Sequence, residues 1–233
     1  MTEQSSRHNT TFTTDGREAY GYLALPPSGQ GPGVIVIQEW WGLDDHIADL
    51  TERLAAEGFV AFAPDLYGGR VAHESDDALR MMQELPVEEG VRRLSGAVDY
   101  LLAHPAVTSD KVGAIGFCMG GGFVLLLAAR EGDRIAAAVP FYGVIQGELP
   151  DFSGLRAAVQ GHYGQDDPTV PVESLAPLAE AIEKGSGQAP EFHLYPAGHA
   201  FVNDQRPSYH PASAELAWQR AVAFLHRHLD PAA

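Results

Sequence analysis

Short apolar runs, closed off by glycine, proline and turn pairs, alternate along this chain with segments in which apolar residues recur every three or four positions. The runs at residues 34–37, 59–63, 112–115, 136–141, 157–160 and 192–195 are too short for helices and read as strands, the first two of them buried. Between them, Leu43, Ile47, Leu50 and Leu54 keep helical spacing, with Gly58 where a helix C-cap sits. Further helices are predicted near residues 91–102, 121–130, 172–183 and 212–228. Residues 10–14 and 19–25 flank Asp15-Gly16, a turn pair suited to an antiparallel hairpin at a sheet edge. Residues 68–89 are least regular and predict a loop or short helix. Strands alternating with helices imply an α/β fold: a mostly parallel, doubly wound sheet with an N-terminal antiparallel hairpin and helices on both faces. No repeat, linker or low-complexity segment interrupts the pattern, which predicts one domain over residues 1–233.

At 233 residues, with 45% hydrophobic and 20% charged positions, the chain has ordinary globular proportions. Such a length buries roughly 70% of its unfolded surface and needs no disulfide or structural metal. The formal charge of −16 repels nucleic acid and anionic lipid, so neither is an expected partner. The single cysteine, Cys118, excludes an internal disulfide, and the first nine residues are polar. With no apolar run of membrane-spanning length, a cytoplasmic location is expected. Oligomeric state leaves no mark on the pattern.

Ligands of doubly wound sheets bind beyond the carboxyl ends of the strands, so chemistry is sought just after each strand. Gly116-Phe117-Cys118-Met119-Gly120 follows an apolar strand and opens a glycine-rich helix, which is a nucleophile elbow with cysteine in place of serine. A thiol at that bend stands over a helix N-terminus, and the Met119 backbone N–H is placed to receive an oxyanion. The bland alternative is a cysteine packed as a small hydrophobe. Elbows of this kind draw an acid and then a histidine from later in the chain. His199, on the short loop after the last strand, is the expected base; His162, after a strand end, is its rival. Asp166 and Asp167 both lie in the loop that should supply the acid, where ordinary turn chemistry is the alternative. Dinucleotide and P-loop fingerprints and a zinc-type H-E-x-x-H are absent from the sequence, which implies no cofactor and no metal.

Residues 34–39, Pro64-Asp65-Leu66-Tyr67, residues 113–121, Tyr142-Gly143 and Gly198-His199-Ala200-Phe201 together resemble the dienelactone hydrolase family of α/β-hydrolases. The resemblance selects Asp167, through Asp167, Val170 and Pro171, and implies a Cys118, His199 and Asp167 triad. It further implies that Glu39 helps to take the thiol proton, and that the Trp40 backbone N–H is the second oxyanion donor. Trp41, Tyr142, Phe201 and Asn203 are the expected substrate-pocket residues. The implied partner is a small ester or lactone, cleaved through a cysteine thioester, with dienelactone to maleylacetate as the family reaction. Members acting on dienelactone hold its carboxylate with two arginines; here Asn203 and about Ser75 stand in those places, leaving Arg70, Arg80 and Arg206 as substitutes. The alternative function is a hydrolase fold that binds a ligand or senses redox state through Cys118 without turnover.

Overall fold

The computed structural model describes residues 7–143, 145 and 148–230; residues 1–6, most of the polar N-terminal stretch, lie outside that set. The described chain falls into two compact units, Met1–Val112 and Gly113–Ala233.

The first unit opens with the hairpin of β1 (Thr10–Thr14) and β2 (Arg17–Ala24), in which Phe12 faces Ala19. Asp15 and Gly16 take φ of 49° and 70°, the left-handed pair that matches strand twist in a two-residue turn. β2 pairs antiparallel with β4 (Val60–Pro64), and β4 pairs parallel with β3 (Gly31–Ile37). All residues of β3 and β4 are buried, as expected of strands covered on both faces. Helix α1 (Asp45–Ala56) starts on Asp44, whose carboxylate accepts from the Ile47 N–H at 3.0 Å, and buries Ile47, Leu50 and Leu54. That cap contributes about 1 kcal/mol. Gly58, with φ of 101°, then turns the chain into β4. Residues 68–89 contain α2 (Ser75–Glu84), and α3 (Val87–Ala103) begins earlier than its apolar stripe because Pro86, Glu88 and Glu89 suit a helix start.

β5 (Val107–Phe117) contains the boundary between the units. Its first five residues alternate in exposure and only the rest are fully buried, so the sequence pattern showed just the buried part. In the first unit the strand order is β1-β2-β4-β3, ending on the start of β5. The second unit contains α4 (Met119–Glu131), β6 (Ile135–Phe141), β7 (Ala158–Gly164), α5 (Leu175–Ser186), β8 (Glu191–Tyr195) and α6 (Pro211–Leu229). Its strand order runs from the end of β5 through β6 and β7 to β8. The β6–β7 and β7–β8 pairs are parallel, with Phe141 beside His162 and Gly164 beside Tyr195. β7 continues four residues past its predicted end, because Gly161, His162 and Tyr163 are buried in the sheet despite their polar atoms. That overturns the expectation that His162 follows a strand end. Among the described residues no helix is long and apolar enough to cross a membrane.

Beneath the loop after β7, Tyr163 packs with Val170, Leu175 and Phe192. Its hydroxyl is buried without a hydrogen-bond partner, and burial drives its pKa upward. A buried hydroxyl left unpaired costs about 1–3 kcal/mol. Tyr163→Phe is therefore predicted to leave stability unchanged or raise it by about 1 kcal/mol, as read by urea denaturation; a clear loss would contradict the assignment.

Candidate active site

The elbow is held by backbone. Cys118 lies between β5 and α4 with φ of 52° and ψ of −117°, a region that side chains avoid and that functional sites retain. Its N–H donates to the Phe141 carbonyl at 3.0 Å, and its carbonyl accepts from the Gly121 N–H at 3.0 Å. A Cβ at Gly116 would stand 2.4 Å from the Gly120 carbonyl oxygen, and one at Gly121 would stand 2.7 Å from Gly143 Cα. Both contacts are with backbone, so glycine is required at both positions. Glycine is thus required on both sides of the bend, at Gly116 before Cys118 and at Gly121 after it. Cys118 is half-buried at the N-terminus of α4, the positive end of the helix dipole.

Three side chains of the second unit meet there. His199, on the loop after β8, reaches Cys118 Sγ through Nε2 at 3.1 Å. Its Nδ1–H donates to Asp167 Oδ2 at 2.7 Å. The other carboxylate oxygen of Asp167 accepts from the Thr169 and Val170 N–H groups at 2.8 and 3.1 Å. Asp167 is buried, whereas its neighbour Asp166 is exposed and uses its own N–H to bond the Ala197 carbonyl. Of the two acids left open by loop chemistry, Asp167 alone holds the imidazole.

The electrostatics follow from these contacts. Burial pushes the His199 pKa down, but the hydrogen bonds and charges of Asp167 and Cys118 outweigh it and lift the ring to about 10. Burial pushes Asp167 up, yet the His199 bond and charge, with the two backbone N–H groups, leave it below the usual carboxylate range. The rival histidine has another role. His162 is fully buried, bonded to Tyr195 and Gln160, and held well below the usual imidazole range by burial, then by His193 and Arg220.

Tyr142 and Phe201, expected at the substrate pocket, are both fully buried. Tyr142 sets its ring edgewise to His199, with centroids 5.2 Å apart, and Phe201 backs Tyr142 at 5.5 Å. They support the imidazole from its protein side. Asn203 is buried as well, its Oδ1 accepting from the Gln205 N–H at 3.1 Å. Glu39, Trp40 and Trp41 belong to the first unit, just past β3. Glu39 is 2% exposed, and the two indoles meet edge to face at 5.1 Å. Arg70 and Arg80 each hold a carboxylate already, Glu84 at 2.8 Å and Asp77 at 2.6 Å. Arg206 lies in the turn after Asn203, whose carbonyl accepts its N–H at 3.1 Å. Among the described residues no group of three or more His, Cys, Asp or Glu side chains is arranged to hold a metal ion.

Sequence reasoning missed three features of this site: the Gly121–Gly143 approach, the left-handed Tyr142 (φ 38°) and the left-handed Ala200 (φ 57°). None is a glycine-for-φ signal of the usual kind, since two of the strained residues carry side chains.

Protein usf of Aquifex pyrophilus is 35% identical over 226 residues, covering 94% of this chain and 97% of its own. A candidate carboxymethylenebutenolidase of Yersinia pestis is 35% identical over 236 residues, covering 94% and 87%. The crystal structure of a candidate dienelactone hydrolase from Klebsiella pneumoniae superposes with a TM-score of 0.84 at 31% identity, covering 94% of this chain and 97% of that one. Residues 19–229 match the profile of the Dienelactone hydrolase family, and the chain belongs to that family, with its α/β-hydrolase fold.

Proposed function

We propose that the protein is a carboxylic ester hydrolase that cleaves a small ester or lactone through a thioester on Cys118. The observation that carries this reading is the unbroken run of contacts from Asp167 through His199 to Cys118 Sγ, at 2.7 and 3.1 Å. Family membership supports the reaction class.

With the ring lifted to about 10, His199 Nε2 holds the proton shared with Cys118 at neutral pH, and the sulfur electron pair attacks the substrate carbonyl carbon. The resulting oxyanion receives the Met119 N–H at the start of α4. As the tetrahedral intermediate collapses, its C–O bond breaks and the leaving oxygen takes the proton from His199. Water then gives a proton to His199 as it attacks the thioester carbonyl. The C–S bond breaks, its electron pair returns to sulfur beside the protonated His199, and the acid product leaves. Asp167 holds the Nδ1–H tautomer and offsets the imidazolium charge throughout. For Glu39 and the Trp40 N–H, proton acceptance from the thiol and the second oxyanion bond rest on the family resemblance. By the same resemblance Asn203 and about Ser75 stand where dienelactone-cleaving members have their two carboxylate-binding arginines, and Arg70 and Arg80 are paired with Glu84 and Asp77. An ester or lactone without a second carboxylate therefore fits better than dienelactone.

A panel of dienelactone, simple lactones and aryl esters tests the assignment. Wild-type protein should turn over at least one member, with Cys118→Ala slower by on the order of 10⁴-fold or more; Glu39→Gln should lower the rate less. Equal rates from wild type and Cys118→Ala would overturn it, and no turnover with a reactive thiol would favour a ligand-binding or redox-sensing protein instead.

A second prediction concerns protons. Because His199 is raised from 6.5 to about 10, its contribution to folding stability is complete below the unfolded value and lost as pH rises through the folded one. Urea unfolding should thus show stability falling between pH 6.5 and 10, and the imidazole NMR signals of His199 should titrate near the upper end. Cys118→Ala should move that titration down. A wild-type titration near 6.5 would contradict the coupled thiol and imidazole.

A further inference from the structure

Behind the site, in the second unit, lies a chain of polar side chains, buried except for the half-buried Arg220, that the reaction does not use. Arg220 of α6 donates from Nη1 to the Tyr195 hydroxyl at 3.2 Å. That hydroxyl is 2.8 Å from His162 Nδ1, and His162 Nε2 is 3.1 Å from Gln160 Oε1. The direction of every bond follows from the ends. Arginine only donates, so the Tyr195 oxygen accepts there and gives its own proton to His162 Nδ1. An amide oxygen only accepts, so His162 carries its proton on Nε2. All four groups are satisfied with His162 as the neutral Nε2–H tautomer. Protonation at Nδ1 would displace the Tyr195 proton and set a second cation facing Arg220 and His193.

This chain touches each part of the site. The Tyr195 carbonyl accepts two N–H groups at 2.8 Å: that of Gln165, which starts the loop carrying Asp167, and that of Ala197, which starts the loop carrying His199. The Tyr195 ring packs on Phe201 at 5.2 Å, the residue behind Tyr142 and so behind His199. The His162 carbonyl accepts the Tyr142 N–H at 2.7 Å. The His162 ring stacks on Phe141 at 4.4 Å, and the Phe141 carbonyl is the acceptor for the Cys118 N–H. Removing the His162–Tyr195 bond would free both the shelf below the imidazole and the strand end that anchors the elbow.

We propose that His162, bonded to Tyr195, is a positioning residue that sets the distance between His199 and Cys118 without touching substrate. Its kinetic test rests on the hydrolase reading; its spectroscopic test does not. Tyr195→Phe keeps the ring and removes the hydroxyl, while His162→Phe keeps the stack and removes the acceptor. His162→Asn restores an acceptor oxygen in the place of Nδ1. On the ester that wild type cleaves, Tyr195→Phe and His162→Phe should lower kcat roughly 10- to 100-fold with KM nearly unchanged, and His162→Asn should recover part of the loss relative to His162→Phe. In the same variants the His199 NMR titration should fall from about 10 toward the ordinary imidazole value, whether or not any ester is turned over. A lower unfolding temperature with kcat and the His199 titration both unchanged would overturn the proposal and leave the network as structural only. Should His162→Phe not fold, Tyr195→Phe decides the matter by itself.

Discussion

A buried carboxylate with three donors is the fixed point of this site. Asp167 accepts from His199 and from two backbone N–H groups, so its charge is stabilised before any substrate arrives. A bare carboxylate in that position would be costly, but each of its hydrogen bonds favours the ionised form. The ionised form fixes the imidazole tautomer, and the tautomer aims Nε2 at sulfur. With the carboxylate neutral or turned away, Cys118 would be an ordinary thiol at a tight bend.

The backbone around this point is strained where chemistry needs it. Among the described residues, four non-glycine residues have positive φ; one is in the N-terminal hairpin, and the other three are Cys118, Tyr142 and Ala200. These three carry the Cys118 thiol, the ring against the imidazole and the turn after His199. Each such residue costs about 1–3 kcal/mol, which the surrounding sheet must offset. Close packing around β5, β6 and β7 does so, with Gly116, Gly121 and Gly143 permitting backbone approaches that no Cβ would allow.

Much of this was legible in the residues. Apolar runs located β3, β4 and β6 to within a few positions, because strands buried on both faces must be apolar throughout, and β8 at the sheet edge was found from a shorter, partly polar run. The elbow declared itself through its glycines, and loop order pointed to His199. The acid was ambiguous, since Asp166 and Asp167 differ only in which way the loop turns them, and that is decided by contacts from the next loop. The polar end of β7 was misjudged for a related reason. His162 and Tyr163 read as loop residues until their partners across the sheet are known. Pocket residues were the least readable, because Tyr142 and Phe201 turn inward to back the histidine, a matter of side-chain direction that spacing does not encode.

The thioester is the central claim, and mass spectrometry of acid-quenched protein during turnover of an activated ester tests it most directly. The account predicts a transient acyl increment on the peptide containing Cys118, lost on treatment with neutral hydroxylamine. Turnover with no covalent species in the presence of a pre-steady-state burst, or acyl carried by another residue, would contradict it.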